Sequence, residues 1–175
     1  MKLFKILALV SIITTATIPV FSQDSKKDTR EKEKEEQYQA LLLLINNQQY
    51  EFRANRANPQ RGPQVDLTTR ENFLRINKEH AAADMPYFGR AFSAGYSASD
   101  GGVQFEGPME TYEVIKNDKK RRLTIKFKIK GPDDTYTCTL NVSAPNSAIL
   151  SVISTRRQTI SYSGVVSGII GEAAR

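Results

Sequence analysis

The chain has one cysteine, one histidine and no tryptophan among its 175 residues. A single Cys, Cys138, excludes an intramolecular disulfide, a CxxC redox pair and a thiolate zinc cage. A single His, His80, excludes HExxH and any multi-histidine metal centre, so no metal or other cofactor is expected. The lack of Trp removes the indole platforms that sugar-cleaving clefts commonly carry. Neither sign of charge dominates, with 25 Lys+Arg against 19 Asp+Glu. The apolar run near the start is broken by Ser11, Thr14, Thr15, Thr17 and Pro19. It therefore falls short of the roughly 20 strongly apolar residues that a membrane anchor needs. What is left is a chain of single-domain length. Its composition, 39% hydrophobic and 25% charged, is that of a globular protein.

Residues Met1 to Ser22 read as a secretory signal. Lys2 and Lys5 supply the basic start, Ile6 to Ile13 the apolar stretch, and Pro19 the break before Val20-Phe21-Ser22. Cleavage after Ser22 leaves Gln23 as a new N-terminus able to cyclise. No Cys follows the apolar run, so the expected product is exported, periplasmic or secreted, not a lipoprotein, and has no membrane span once the signal is removed. The chain thus divides into a signal (1–22), a charged linker or helix start (23–39) and one β domain with an N-terminal helix (40–175). Without Lys2 and Lys5 the balance is 23 basic against 19 acidic residues. Outside the cytoplasm that modest excess suits an anionic glycan, a lipid head group or an envelope protein, and not nucleic acid. A lone thiol in an oxidising compartment has to be buried to avoid pairing between molecules, which places Cys138 in the core.

From Asp24 to Gln39 charges of both signs nearly cancel, and Asp28 or Thr29 is a candidate cap. The character switches at Ala40 to Leu41-Leu-Leu-Leu-Ile45, a run that needs a burial partner. The expectation is a helix with a polar start and a docked second half, closing one end of the domain, in preference to a free tether.

Beyond Asn46-Asn47 the apolar period becomes two, the mark of strands with one buried face. Tyr50 to Ala54, Phe73 to Ile76, and Val103 with Phe105 alternate in this way, and Gly107-Pro108 is expected to end the last of these. Asn58 to Pro63 and Ser97 to Gly102 read as turns, and Met85 to Gly89 as a break. The pattern is strongest from Tyr112 to Val142. Leu123, Ile125, Phe127 and Ile129 alternate with Thr124, Lys126, Lys128 and Lys130, and Tyr136, Cys138, Leu140 and Val142 with Thr and Asn. Turns at Asn117–Lys120 and Gly131–Asp134 connect them into an antiparallel meander. Ala148 to Ile153 and Thr159 to Val165 continue it. The expected fold is all-β: a meander of about eight or more short strands curled into a barrel or two-layer sandwich, with one N-terminal helix.

Candidate chemistry is sparse. His80, read as a loop residue, has neither a GxSxG elbow nor a Cys–His signature beside it. Asp100, Glu106, Glu110 and Glu113 lie in one stretch, which keeps an acid–base pair for glycoside cleavage open, but nothing specific pairs two of them. Asn141-Val-Ser143 matches a glycosylation acceptor, a motif common by chance. Two ligand-binding candidates stand out. One is the loop carrying Tyr87, Phe88 and Arg90, able to stack and to donate hydrogen bonds. The other is the basic stretch Lys116 to Lys130, opposed in sequence only by Asp118, where Lys126 and Lys128 point away from the core. Each also has a plain structural reading: the aromatics seal a core, and the lysines solvate a face and deter edge-to-edge pairing.

The segments MPYFGRAFSA, GGVQFEGPMETYEV, LTIKFKIKGPDDTYTCTLNV and RRQTISYSG resemble, in this order, the bacterial family known as domain of unknown function 4251. Its members are secreted or periplasmic proteins of Bacteroidota. The resemblance runs from about Gln48 to Val166 and implies export and one compact domain, with no activity, cofactor or catalytic residue to carry over. The expected function is an exported, non-catalytic binding or envelope-associated module. Its ligand would sit at the barrel mouth or the Tyr87–Arg90 loop. The alternatives are a glycan- or lipid-acting hydrolase using a carboxylate pair, and a structural partner in an envelope assembly.

Overall fold

The computed structural model describes residues 22–89, 92, 102–132 and 134–169. Helix α1 (Ser22–Asn46) is followed by β1 (Gln49–Pro59), β2 (Val65–Asp66), β3 (Phe73–Asn77), β4 (His80–Met85), β5 (Val103–Asn117), a 3-10 turn at Asp118–Lys120, β6 (Arg122–Lys130), β7 (Thr135–Ser143), β8 (Ser147–Ser154) and β9 (Ile160–Gly168). All pairings are antiparallel, in the order β2-β1-β3-β4-β5-β6-β7-β8-β9, and β1 also pairs with β9. That last pairing settles barrel against sandwich: eight strands form a closed barrel and β2 is an extra strand on its rim.

The period-two pattern fixes which face is inside. On β6 Leu123, Ile125, Phe127 and Ile129 are buried, and on β7 Tyr136, Cys138, Leu140 and Val142. Cys138 is fully buried. Two bulges shift the phase. On β1 the inward residues Ala54 and Ala57 are three apart because the register slips between Ala54 and Arg56. On β5 the slip lies between Met109 and Thr111.

β5 departs from the sequence reading. Gly107-Pro108 does not end it; the strand runs unbroken for 15 residues. Gly107 takes a φ of +156°, which a side chain would strain, and Pro108 falls at the last rung with β4. Residues 103–108 pair with β4 and residues 109–117 with β6, so one strand serves two neighbours in succession. The second departure is β4. His80 is not on a loop but opens a strand whose inward residues are Ala81, Ala83 and Met85; the alanines are too weakly apolar to announce it, and Met85, read as the start of a break, is its buried last residue. The turn Ser97–Gly102 lies almost wholly outside the described residues.

The two ends of the barrel are built differently. At one end α1 packs Tyr38, Leu41 and Ile45 into the core, while residues 27–37 on the same helix are exposed. The Tyr38 hydroxyl donates to Asp118 Oδ1 (2.7 Å), and Arg121 bonds Glu31 (3.0 Å) and Glu35 (3.1 Å), tying the helix to the β5–β6 turn. At the other end Asp134, nearly buried, accepts from the hydroxyls of Ser154 and Thr155 and from the backbone N–H groups of Thr135 and Thr155. It ties the β6–β7 turn to the segment after β8.

Candidate functional site

The inward side chains form one continuous buried cluster that includes Tyr50, Phe52, Phe127, Leu150 and Tyr162. The Tyr50 and Tyr112 hydroxyls meet inside it at 3.2 Å, and burial pushes both phenols up from their ordinary pKa. The described concavities therefore lie on the outer wall.

The larger one, about 880 Å³, crosses β9, β1, β3, β4 and β5. Register explains its shape. Ser167, Glu51, Arg75, Ala82 and Glu106 form one row across five strands, all outward. Ala82 is a low point between the long Arg75 and Glu106, and Ser167 with Gly168 leaves the other end low. Asn77 and His80 occupy the adjoining row.

Glu51 is the keystone of this groove. It faces outward yet is only 8% exposed, because two arginines cover it. Arg53 Nε donates to Oε1 and Arg75 Nε to Oε2, each at 2.5 Å. Arg75 also lies 4.4 Å from the Phe73 ring centroid, which limits its freedom. Burial alone would raise the Glu51 pKa, but the bonds and charges of Arg53 and Arg75 outweigh it and hold the carboxyl below its usual range. It is a fixed anion that orients two cations. Both arginines use Nε, so among the described residues their Nη groups have no protein hydrogen-bond partner. A shallower groove of about 730 Å³, lined by polar residues such as Arg56, Asp66, Asn141 and Ser163, lies across β7, β8, β9 and the rim strand.

The residues singled out from sequence fall elsewhere. The Tyr87 hydroxyl donates to the Gln158 carbonyl (2.9 Å) beneath the Arg157 guanidinium (5.2 Å to the ring centroid), and Phe88 packs on the core with Arg70 5.9 Å from its centroid. Arg90 is outside the described residues, as is Asp100. Lys126 and Lys128 stand outward on β6. Carboxylates reach them from β5: Lys128 bonds Glu110 (3.0 Å), and Lys126 sits opposite Glu113. The basic stretch is thus interleaved with acid that sequence proximity did not reveal. Among the described residues, no group of three or more His, Cys, Asp and Glu could hold a metal ion. None of their helices is long and apolar enough to cross a membrane, which says nothing of strands.

Over residues 32–166 the chain matches the family described as domain of unknown function (DUF4251). It belongs to that family. A DUF4251 protein from Bacteroides eggerthii has a similar crystal structure, with 20% sequence identity and a TM-score of 0.58 over 75% of this chain and 87% of that one. At that identity the likeness carries the fold and no residue roles. No curated protein matches the chain. The DUF4251 match begins at residue 32, inside α1, so the helix that closes the barrel falls largely within the family's common region.

Proposed function

We propose that this DUF4251 protein is an exported, non-catalytic binding module that meets its ligand on the outer wall of a packed barrel. One observation carries the reading. The inward side chains form a single buried cluster with α1 packed into one end, while the outer wall carries a polar groove whose central carboxylate is committed to two arginines. An eight-stranded barrel has an interior just wide enough for side chains or one small ligand, and here side chains supply the filling. Glu51, held ionised by neighbouring cations, is suited to orienting groups and poorly suited to donating a proton. Export is supported by the basic start, apolar stretch and break of residues 1–22.

The test is the thermal midpoint of the chain from Gln23 onward against acidic and neutral oligosaccharides, lipid head groups and fatty acids. A ligand at 100 times its dissociation constant stabilises by about 2.7 kcal/mol. Stabilisation by a polar ligand supports the reading. Stabilisation by fatty acids alone contradicts it and returns the function to the interior. No shift across the panel overturns it in favour of an assembly partner. The Lys126→Ala/Lys128→Ala variant shows whether the β6 face is the part of the wall involved.

A further inference from the structure

We infer that the groove centred on Glu51 is a binding site for an acidic oligosaccharide, one bearing carboxylates on hydroxyl-rich rings; this rests on the binding-module reading above. On one side stand two guanidinium groups, Arg53 and Arg75, held by one buried carboxylate through their Nε atoms. Their Nη edges are left to form the paired N–H donors that match a planar carboxylate. The clamp is preorganised, because Glu51 fixes both cations and Phe73 steadies Arg75, so less side-chain freedom is lost on binding. The opposite wall carries Glu106, which accepts hydrogen bonds, and the adjoining row adds the His80 ring and the Asn77 amide, groups suited to hydroxyls.

Size decides between ligand classes. Arg75 and Glu106 lie on one row with Ala82 between them, two inter-strand spacings or about 9–10 Å apart. A lone phosphate, sulfate or acetate satisfies the arginines and leaves most of the 880 Å³ groove unused. A free amino acid can reach from the guanidinium edges to Glu106 but, like the small anions, fills little of the groove. A neutral sugar uses the Glu106 side but leaves the two guanidinium edges unanswered. Two or three sugar rings carrying a carboxylate fill more of the groove and answer both walls. His80 is the one ring among the lining residues, so affinity has to come from charge-assisted hydrogen bonds more than from stacking.

The experiment is isothermal titration of the chain from Gln23 with trigalacturonate, its fully methyl-esterified form, and sodium acetate. The expected result is saturable one-to-one binding of trigalacturonate, at least tenfold weaker for the ester and for acetate. Arg75→Gln and Arg53→Gln should each weaken it at least tenfold, and Glu106→Gln several-fold, while Lys126→Ala/Lys128→Ala leaves it unchanged. Arg75→Lys, which keeps the charge but loses the fork, should also weaken binding; it and His80→Ala serve if the Gln variants fail to fold. Equal binding of ester and acid, or binding indifferent to Arg53 and Arg75, overturns the site. No binding of trigalacturonate overturns the ligand class, and the thermal panel then shows separately whether the binding-module reading stands.

Discussion

A Cβ placed on Gly164 would lie 1.9 Å from the carbonyl oxygen of Arg53. The two residues sit on β9 and β1, the seam that closes the barrel, beside the bulge between Ala54 and Arg56. Glycine is required there because the bulge pushes the β1 backbone onto its neighbour. Gly164→Ala should force the seam apart and destabilise the protein by about 2–4 kcal/mol. Thermal denaturation checks this; a change under about 0.5 kcal/mol would show that the seam is not so tightly closed.

The helix divides into a part that matters and a part that does not. A chain beginning at Glu36 keeps Tyr38, Leu41 and Ile45 in the core and loses only the exposed turns and the Arg121 pairs with Glu31 and Glu35. Surface pairs of that kind contribute about 0–1 kcal/mol, so its thermal midpoint should stay close to that of the longer chain. A chain beginning at Asn47 uncovers the core, and at about 2–5 kcal/mol per large buried side chain it should barely fold. Equal stability of the two truncations would contradict the docking.

Asp134 makes stability depend on acid. Burial opposes its ionisation, but four hydrogen bonds from Ser154, Thr155 and the backbone outweigh that and lower its pKa in the folded state. The ionised form is therefore the one that folding favours. The stabilisation is fully present above the ordinary aspartate value of about 3.9 and is lost as the pH falls through the lower folded value. Asp134→Asn should cost about 2 kcal/mol at pH 7. The gap between variant and parent should narrow as urea unfolding is repeated from pH 5 downward. A gap independent of pH would refute the role given to the carboxylate.

Burial pushes the Cys138 thiol well above its ordinary pKa, so the native protein should be inert to a disulfide reagent at pH 8. It should release one equivalent of product only on unfolding. Rapid modification of the folded chain would place Cys138 outside the core.

Much of this fold is legible in the sequence, and the parts that are not share a cause. β6 and β7 announce themselves because Leu123 to Ile129 and Tyr136 to Val142 contrast strongly with the Lys and Thr between them. β4 hides because Ala81 and Ala83 differ little from the outward Ala82. β5 reads as two strands because Gly107 and Pro108 are stop signals locally, while the pairing with β4 and then β6 that carries the strand past them is tertiary. Asp28 or Thr29 is the cap that the charges suggest, but α1 begins at Ser22, because its charged half has no apolar period to mark the start. The groove is harder still. Glu51, Arg75, Glu106 and Ser167 are more than 100 residues apart at the extremes, and only strand register sets them in one row. Lys126 and Lys128 looked like the prominent charges because the acids that face them, Glu110 and Glu113, belong to a neighbouring strand.

The central claim is that this barrel binds from its outer wall. Amide chemical-shift mapping of the chain from Gln23 during titration with trigalacturonate tests it most directly. The largest changes should fall on Glu51, Arg53, Arg75, His80 and Ala82, with Phe127, Leu150 and Tyr162 unmoved. Changes concentrated on those inward residues would contradict it.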